Sequence, residues 1–214
     1  ILDCFEHHGD EIAMVLIGGV NYYSGQAFHM EAITNKAHEF NCLVCFDLAH
    51  GAGNLELKLH DWGVDFAAWC GYKYLNGGPG APSGVFIHDR HLGKTDIPRF
   101  EGWWGTKKET RFLMRPEFDP IETADAWQLS NPPILSIAPY LASLEIFDEV
   151  GMDALIKKQK TIYKDFELKP KPEKAPPPPK DIKKKLPFGL HDSVLIKQKN
   201  VGLMLPFYLN NVNL

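Results

Sequence analysis

Residues 42–76, CLVCFDLAHGAGNLELKLHDWGVDFAAWCGYKYLN, decide the fold. They hold two apolar runs, Cys42–Phe46 and Val64–Cys70, each followed at once by polar, chemically capable residues. Short apolar runs of this kind, the second broken only by Asp65, predict strands buried on both faces of a sheet. Working outward, Ile12–Val20 (IAMVLIGGV) is a third such run, ended by glycines and Asn21, and Gly84–His88 (GVFIH) is a fourth. A polar stretch with helical spacing, Met30–Phe40, stands between the Ile12 run and Cys42. A second helix is predicted over Pro139–Val150, with apolar Leu141, Leu144, Ile146 and Phe147. Strand, helix, strand at this spacing predicts an α/β fold with a largely parallel sheet flanked by helices. In open α/β sheets ligands gather beyond the carboxyl ends of the strands, so the residues just after each apolar run come next.

Asp47 and His50 follow the Cys42 run, and Tyr72 and Lys73 follow the Val64 run, leading into Gly77-Gly78-Pro79-Gly80. A lysine beside apolar sequence is a candidate amine nucleophile, because burial disfavours its charged form. The chemistry that asks for both a lysine and a buried aspartate is that of pyridoxal phosphate. Lysine holds that cofactor as a Schiff base, and the carboxylate keeps its pyridine nitrogen protonated so that the ring accepts electrons. On spacing alone a second reading stays open, with Asp47 capping a helix and Lys73 extending its stem along the sheet end into water.

The strings themselves are more specific. FDLAHGAGN (46–54), LHDWGVDFAAWCGYKYLNGGPG (59–80), GWWG (102–105) and SNPP (130–133) together resemble the kynureninases, pyridoxal phosphate enzymes of the fold-type-I aminotransferase superfamily. The resemblance runs over roughly residues 1–160. It implies that Lys73 is the Schiff-base lysine, Asp47 the partner of the pyridinium nitrogen, and His50 the histidine beside the cofactor ring. It likewise implies that Tyr72 hydrogen-bonds the phosphate and relays protons, and that Trp103 stands at the phosphate side. Ser130 and Asn131 are implied to touch phosphate and substrate, serving the neighbouring subunit of a homodimer. Lys73, Tyr72 and Asp47 are therefore the expected catalytic residues. The expected reaction is hydrolysis of L-kynurenine or 3-hydroxy-L-kynurenine to anthranilate or 3-hydroxyanthranilate and L-alanine, in tryptophan breakdown or NAD synthesis. Where the family often has serine in the LIGGV run, this chain has Gly18.

Composition agrees with a globular core but divides it unevenly. The chain is 214 residues long with a net charge of −4, which gives no polyanion-binding expectation, and no run of about 18 apolar residues predicts a membrane span. Residues 1–150 carry 10 Lys and Arg against 21 Asp and Glu, a net −11, whereas residues 151–214 carry 13 against 6, a net +7. That seam coincides with KKQKTIYKDFELKPKPEKAPPPPKDIKKK (157–185), too Lys- and Pro-rich to offset chain entropy by burial. The expected organisation is a partial cofactor-binding large domain over 1–160, a Lys/Pro linker or disordered stretch over 161–187, and a remnant of a small domain over 188–214. The last arginine is Arg115, so the family's arginine clamp on the substrate carboxylate has no counterpart in the tail. ILDCFEHHGDEIA at the start reads as the middle of a helix-led segment, as in a piece of a larger chain. The alternative expectation is accordingly a catalytically inactive fragment that only dimerises or binds.

Other signals are weaker. Cys42 and Cys45 form a CxxC on a strand-like run with no second pair nearby, which favours core thiols over zinc or redox chemistry. Cysteines matched to no framework point to a reducing, cytoplasmic compartment. His7-His8 and the Asp47/His50 pair lack a third ligand at sensible spacing, so no metal site is expected. NGGPG is not a dinucleotide loop.

Overall fold

The computed structural model describes residues 1–165 and 193–197. The chain forms α1 (Leu2–His8), β1 (Ile12–Gly18), α2 (Met30–Glu39), β2 (Leu43–Asp47), β3 (Phe66–Trp69), β4 (Gly84–Ile87), α3 (Ile134–Val150), α4 (Met152–Asp165) and β5 (Ser193–Lys197). The strands make one mixed sheet in the order β4-β3-β2-β1-β5. The β1–β2 and β2–β3 pairs are parallel, while β4 and β5 close the two edges antiparallel.

The apolar runs form strands because their side chains fill the core from the sheet outward. Ile12, Val15, Ile17, Val44, Phe46, Phe66 and Ala67 are buried, with Phe5 of α1 beneath them. The α2 helix buries Met30, Ile33, Thr34 and Ala37, which share one helical face at i, i+3, i+4 and i+7. Its N-terminus is capped by His29, whose Nδ1 accepts from the Ala32 amide at 3.3 Å. Thr34 can be buried because its hydroxyl donates to the Met30 carbonyl at 2.8 Å.

Strand positions agree with the sequence patterning to within one or two residues. The main differences lie in α3 and the tail. The α3 helix starts at Ile134, five residues before the expected Pro139, and carries that proline inside its second turn. Proline removes one i→i−4 hydrogen bond, here to the Leu135 carbonyl, but Leu135 is 91% exposed and water can serve that group. In the tail, α4 continues to Asp165, and Ser193–Lys197 pairs with β1. The remainder of the expected linker and of the expected small-domain remnant lies outside the described residues.

The Cys42 and Cys45 thiols belong to the core. Cys42 is buried and donates to the Ile12 carbonyl at 3.1 Å. Burial, with the charges of Asp47 and Asp65, pushes the Cys45 thiol up to about 12. Among the described residues no cysteine forms a disulfide, and no helix is long and apolar enough to cross a membrane.

One charged group sits deep in this core. Asp65, just before β3, is 1% exposed. Its carboxylate accepts from the Val44 amide at 2.9 Å and contacts His38 Nε2 at 2.9 Å and His91 Nε2 at 2.7 Å, with Arg90 Nε at 3.4 Å. It therefore ties α2, β2 and the turn after β4 to the sheet. Burial alone would raise the Asp65 pKa; the hydrogen bonds from His38, His91 and Val44 and the Arg90 charge outweigh it and hold the carboxyl below its ordinary value. Because the folded value is depressed, the stability this group contributes is present above its unfolded pKa and is lost as pH falls through the folded one. Asp65→Ala leaves the buried His91 ring and Val44 amide without their acceptor, and should destabilise the fold by about 3–5 kcal/mol in urea unfolding at pH 7. The difference between parent and variant should shrink in the same titration below about pH 4.

Candidate active site

The carboxyl ends of β1, β2 and β3 lie level. Gly18 pairs with Asp47, and Asp47 pairs with Ala68. The Leu48 amide donates to the Ala68 carbonyl and the Gly19 amide to the Asp47 carbonyl, each at 2.8 Å, so the ladder continues one step past Asp47. The Asp47 side chain caps its own turn, with Oδ1 accepting from the Ala49 amide at 2.8 Å. That turn carries His50 back toward the neighbouring strand end.

Lys73 stands in the loop after β3. Its Nζ lies 3.1 Å from His50 Nε2, a contact spanning 23 residues of sequence. Burial first, then the charge of Lys73, lowers the pKa of His50 against the opposing charge of Asp47. Among the described residues Lys73 takes part in no ion pair, so its amine is oriented by an imidazole and is not held by a carboxylate.

The loop itself is clamped. The Gly77 amide donates to the Gly71 carbonyl at 2.9 Å, closing the segment around Lys73. A Cβ at Gly71 would meet the Pro82 carbonyl at 2.5 Å, and one at Gly77 would meet the Tyr140 ring at 2.8 Å. Ser143, one helical turn beyond Tyr140 in α3, donates to the Leu75 carbonyl at 2.7 Å. The His50 turn has a parallel support: Asn54 Nδ2 donates to the His50 carbonyl at 3.0 Å, and Gln159 of α4 donates to Asn54 at 3.3 Å. The two C-terminal helices thus hold the two loops that carry the lysine and the histidine. Nothing in the sequence marked Tyr140, Ser143 or Gln159 for this role, since their partners lie 68 or more residues away in the two hydrogen-bonded cases.

Tyr72 is 55% exposed, and the neighbouring Cys70 thiol, by charge and by hydrogen bond, raises its pKa. His50 and Tyr74 meet edge to face with ring centroids 6.0 Å apart.

The remaining expected residues form a second group. Trp103 packs on Trp104, Phe112 and the Arg111 guanidinium, with the Arg111 carbon 5.7 Å from the Trp103 ring centre and 4.5 Å from that of Trp104. Arg111 also donates to the Trp104 carbonyl at 2.6 Å and the Thr106 carbonyl at 3.1 Å, so one side chain fixes the GWWG turn. A cavity of about 250 Å³ opens beside it, lined by Trp103, Thr106, Arg111, Met114 and Phe118 among others. Ser130 donates to the Asn131 side chain at 3.2 Å. The backbone of Gly102 lies directly against that of Leu129, and Gly105 against Ala126, leaving no space for a side chain at either glycine. This close approach joins the GWWG turn to the Ser130/Asn131 segment. Among the described residues no hydrogen bond, ion pair or ring contact connects Trp103, Ser130 or Asn131 with Asp47, His50 or Lys73. Within one chain the expected site is therefore two clusters: Asp47, His50, Tyr72 and Lys73 at the sheet end, and Trp103, Ser130 and Asn131 around the GWWG turn.

Similarity to known proteins covers both clusters. Residues 2–168 match the class-V aminotransferase family. A kynureninase of Christiangramia forsetii is 64% identical over 170 residues, which are 78% of this chain and 40% of that protein. A kynureninase of Myxococcus xanthus is 57% identical over 175 residues, 81% of this chain and 41% of its own. The chain thus spans about two fifths of the length of these curated relatives. Among solved structures, the cysteine desulfurase CsdA of Escherichia coli superposes with a TM-score of 0.57 at 15% identity, covering 72% of this chain and 37% of that one. The cystine C–S lyase C-DES, bound to its product cysteine persulfide, gives 0.53 at 22% identity over 68% and 38%. At these identities the structures share the fold.

Because Gly102 meets main chain and not a movable side chain, Gly102→Ala should push the GWWG turn away from Leu129. The expected result is a destabilisation of about 1–3 kcal/mol in thermal or urea unfolding, with altered tryptophan fluorescence from Trp103 and Trp104.

Proposed function

The chain belongs to the class-V aminotransferase family, and from that premise we propose that it forms the lysine-bearing part of a pyridoxal phosphate site for hydrolytic cleavage of L-kynurenine or 3-hydroxy-L-kynurenine. The products are anthranilate or 3-hydroxyanthranilate and L-alanine. The observation that carries this reading is the approach of Lys73 Nζ to His50 Nε2 beyond the end of the strand that carries Asp47. The kynureninase relatives point to the same substrate class.

The donor set fits the cofactor. An amine outside any ion pair is available to its aldehyde, a carboxylate stands on the adjoining strand end, and hydroxyl and indole donors suit a phosphate. When bound, the cofactor supplies an electron sink that stabilises negative charge on the substrate carbons. Lys73 would hold it and then take and return the substrate α-proton at Nζ. His50, 3.1 Å from Nζ, would fix the direction of the amine. Asp47 would hold the proton on the pyridine nitrogen. Tyr72 would move protons at its hydroxyl, and general acid–base steps of this kind contribute typically about 10²–10⁴-fold each. Trp103 and Asn131 would bind at the phosphate side, and Ser130 with Asn131 would meet the substrate. In a homodimer these residues of one subunit would complete the lysine cluster of the other, in keeping with their separation within a single chain. Four cysteines outside any disulfide suit a cytoplasmic protein of tryptophan breakdown or NAD synthesis.

A second reading is a catalytically inactive module that dimerises or binds. Its support is the absence of any arginine after Arg115, which leaves the tail without a guanidinium fork for the substrate carboxylate.

Borohydride reduction of the protein with pyridoxal phosphate should attach the cofactor to the Lys73 peptide, identified by mass spectrometry. Lys73→Ala should lose that attachment and the visible absorption, and anthranilate release from kynurenine should fall by at least about 10²-fold. Attachment that persists in Lys73→Ala overturns the assignment. A colourless parent that dimerises favours the second reading.

A further inference from the structure

The amino end of β3 carries a cluster unrelated to the lysine site. Because β3 and β4 are antiparallel with Phe66 opposite Ile87, the turn before β3 and the turn after β4 meet at the sheet end remote from Asp47 and Lys73. His60 comes from the first turn, and His88 and Asp89 from the second. Their imidazoles stack with centroids 4.7 Å apart and 21° between the planes. His60 Nε2 lies 3.4 Å from Asp89 Oδ2, and His88 Nδ1 lies 2.5 Å from Asp89 Oδ1. One ligand atom from each of the three residues can be chosen so that all lie within 4.8 Å of one another.

The two segments are set in place by main chain and not by the histidines. The His88 amide donates to the Asp65 carbonyl at 3.0 Å, and the His91 amide to the His88 carbonyl at 2.9 Å. In the first turn, Trp62, Gly63 and Val64 amides donate to Lys58, His60 and Leu59 carbonyls at 2.8–3.0 Å. Arg90 Nη2 donates to the Gly63 carbonyl, closing one turn on the other. The histidines and the aspartate are thus held facing each other, with His88 Nδ1 also accepting from the Arg90 amide at 3.3 Å.

We propose that His60, His88 and Asp89 form a binding site for a divalent transition-metal ion of the zinc class. Two imidazoles and one carboxylate are the donor set such ions prefer over magnesium or calcium. Tetrahedral bonds of about 2.0–2.1 Å place ligand atoms roughly 3.3 Å apart, so the widest separation here must close by about 1.5 Å. The His60 and Asp89 side chains, 62% and 66% exposed, are free to make that rotation, while His88 at 12% stays fixed. Asp61, whose Oδ1 lies 3.5 Å from His60 Nδ1, orients the ring from its far nitrogen, and water supplies the fourth position. The bound ion pins the turn before β3 to the turn after β4, so it acts as a clip on the sheet and takes no part in chemistry at Lys73.

The test is a zinc titration of the full chain, stripped with EDTA and dialysed, by isothermal calorimetry. One equivalent should bind with micromolar affinity and raise the melting temperature. His60→Gln and Asp89→Asn should each weaken binding at least about tenfold and remove the melting shift. Metal-free circular dichroism of both variants should match the parent, which separates lost ligation from misfolding. Cobalt should give visible ligand-field bands without a thiolate charge-transfer band. No binding up to millimolar zinc, binding unchanged in both variants, or a thiolate band that places the metal on cysteine would each overturn the proposal.

Discussion

The rest of the molecule depends on three parallel strands sharing one register. Parallel strands cannot be joined by a tight turn, so each must be followed by a connection that carries the chain back to the start of the next. The polar segments of those connections therefore begin at the same end of the sheet. Gly18, Asp47 and Ala68 lie opposite one another, and the loops after them deliver His50 and Lys73 to one place. A one-residue slip in either pair would send Asp47 and the buried Phe46 to the wrong faces.

The opposite end of the same sheet is held by charge. Asp65 takes hydrogen bonds from α2, β2 and the turn after β4, in a place where an uncompensated carboxylate could not be tolerated. His91, one of its partners, also stacks on Phe66 at 4.9 Å, so the imidazole serves packing and polarity together. The sheet thus has a polar knot at one end and the Lys73–His50 pair at the other. The knot lets the strands stay rigid where the loops around Lys73 are built.

What could be read from the amino acids followed the reach of the interactions. β1 to β4 were legible because an apolar run is a local signal, as were Asp47, His50 and Lys73 because they sit just past such runs. The start of α3 was not, since Pro139 looks like a helix beginning, and its tolerance depends on the exposure of Leu135. The pairing of β5 with β1 joins Ile12 to Lys197, far beyond any local pattern. Asp65 was visible as a charge inside an apolar run, but its meaning lies in His38 and His91, 27 and 26 residues away. In the same way GWWG and SNPP were visible as strings, while the backbone contact of Gly102 with Leu129 that joins them was not. His60 and His88, 28 residues apart, gave no spacing that sequence could use.

The tightness around Gly71 and Gly77 has a consequence for how Lys73 can behave. With the Pro82 carbonyl and the Tyr140 ring filling the space where side chains would be, and Ser143 bound to Leu75, the main chain under Lys73 has no slack. Whatever distance its amine covers must come from rotation about its own side-chain bonds. The residue is an arm on a fixed shoulder, and His50 is where its amine rests.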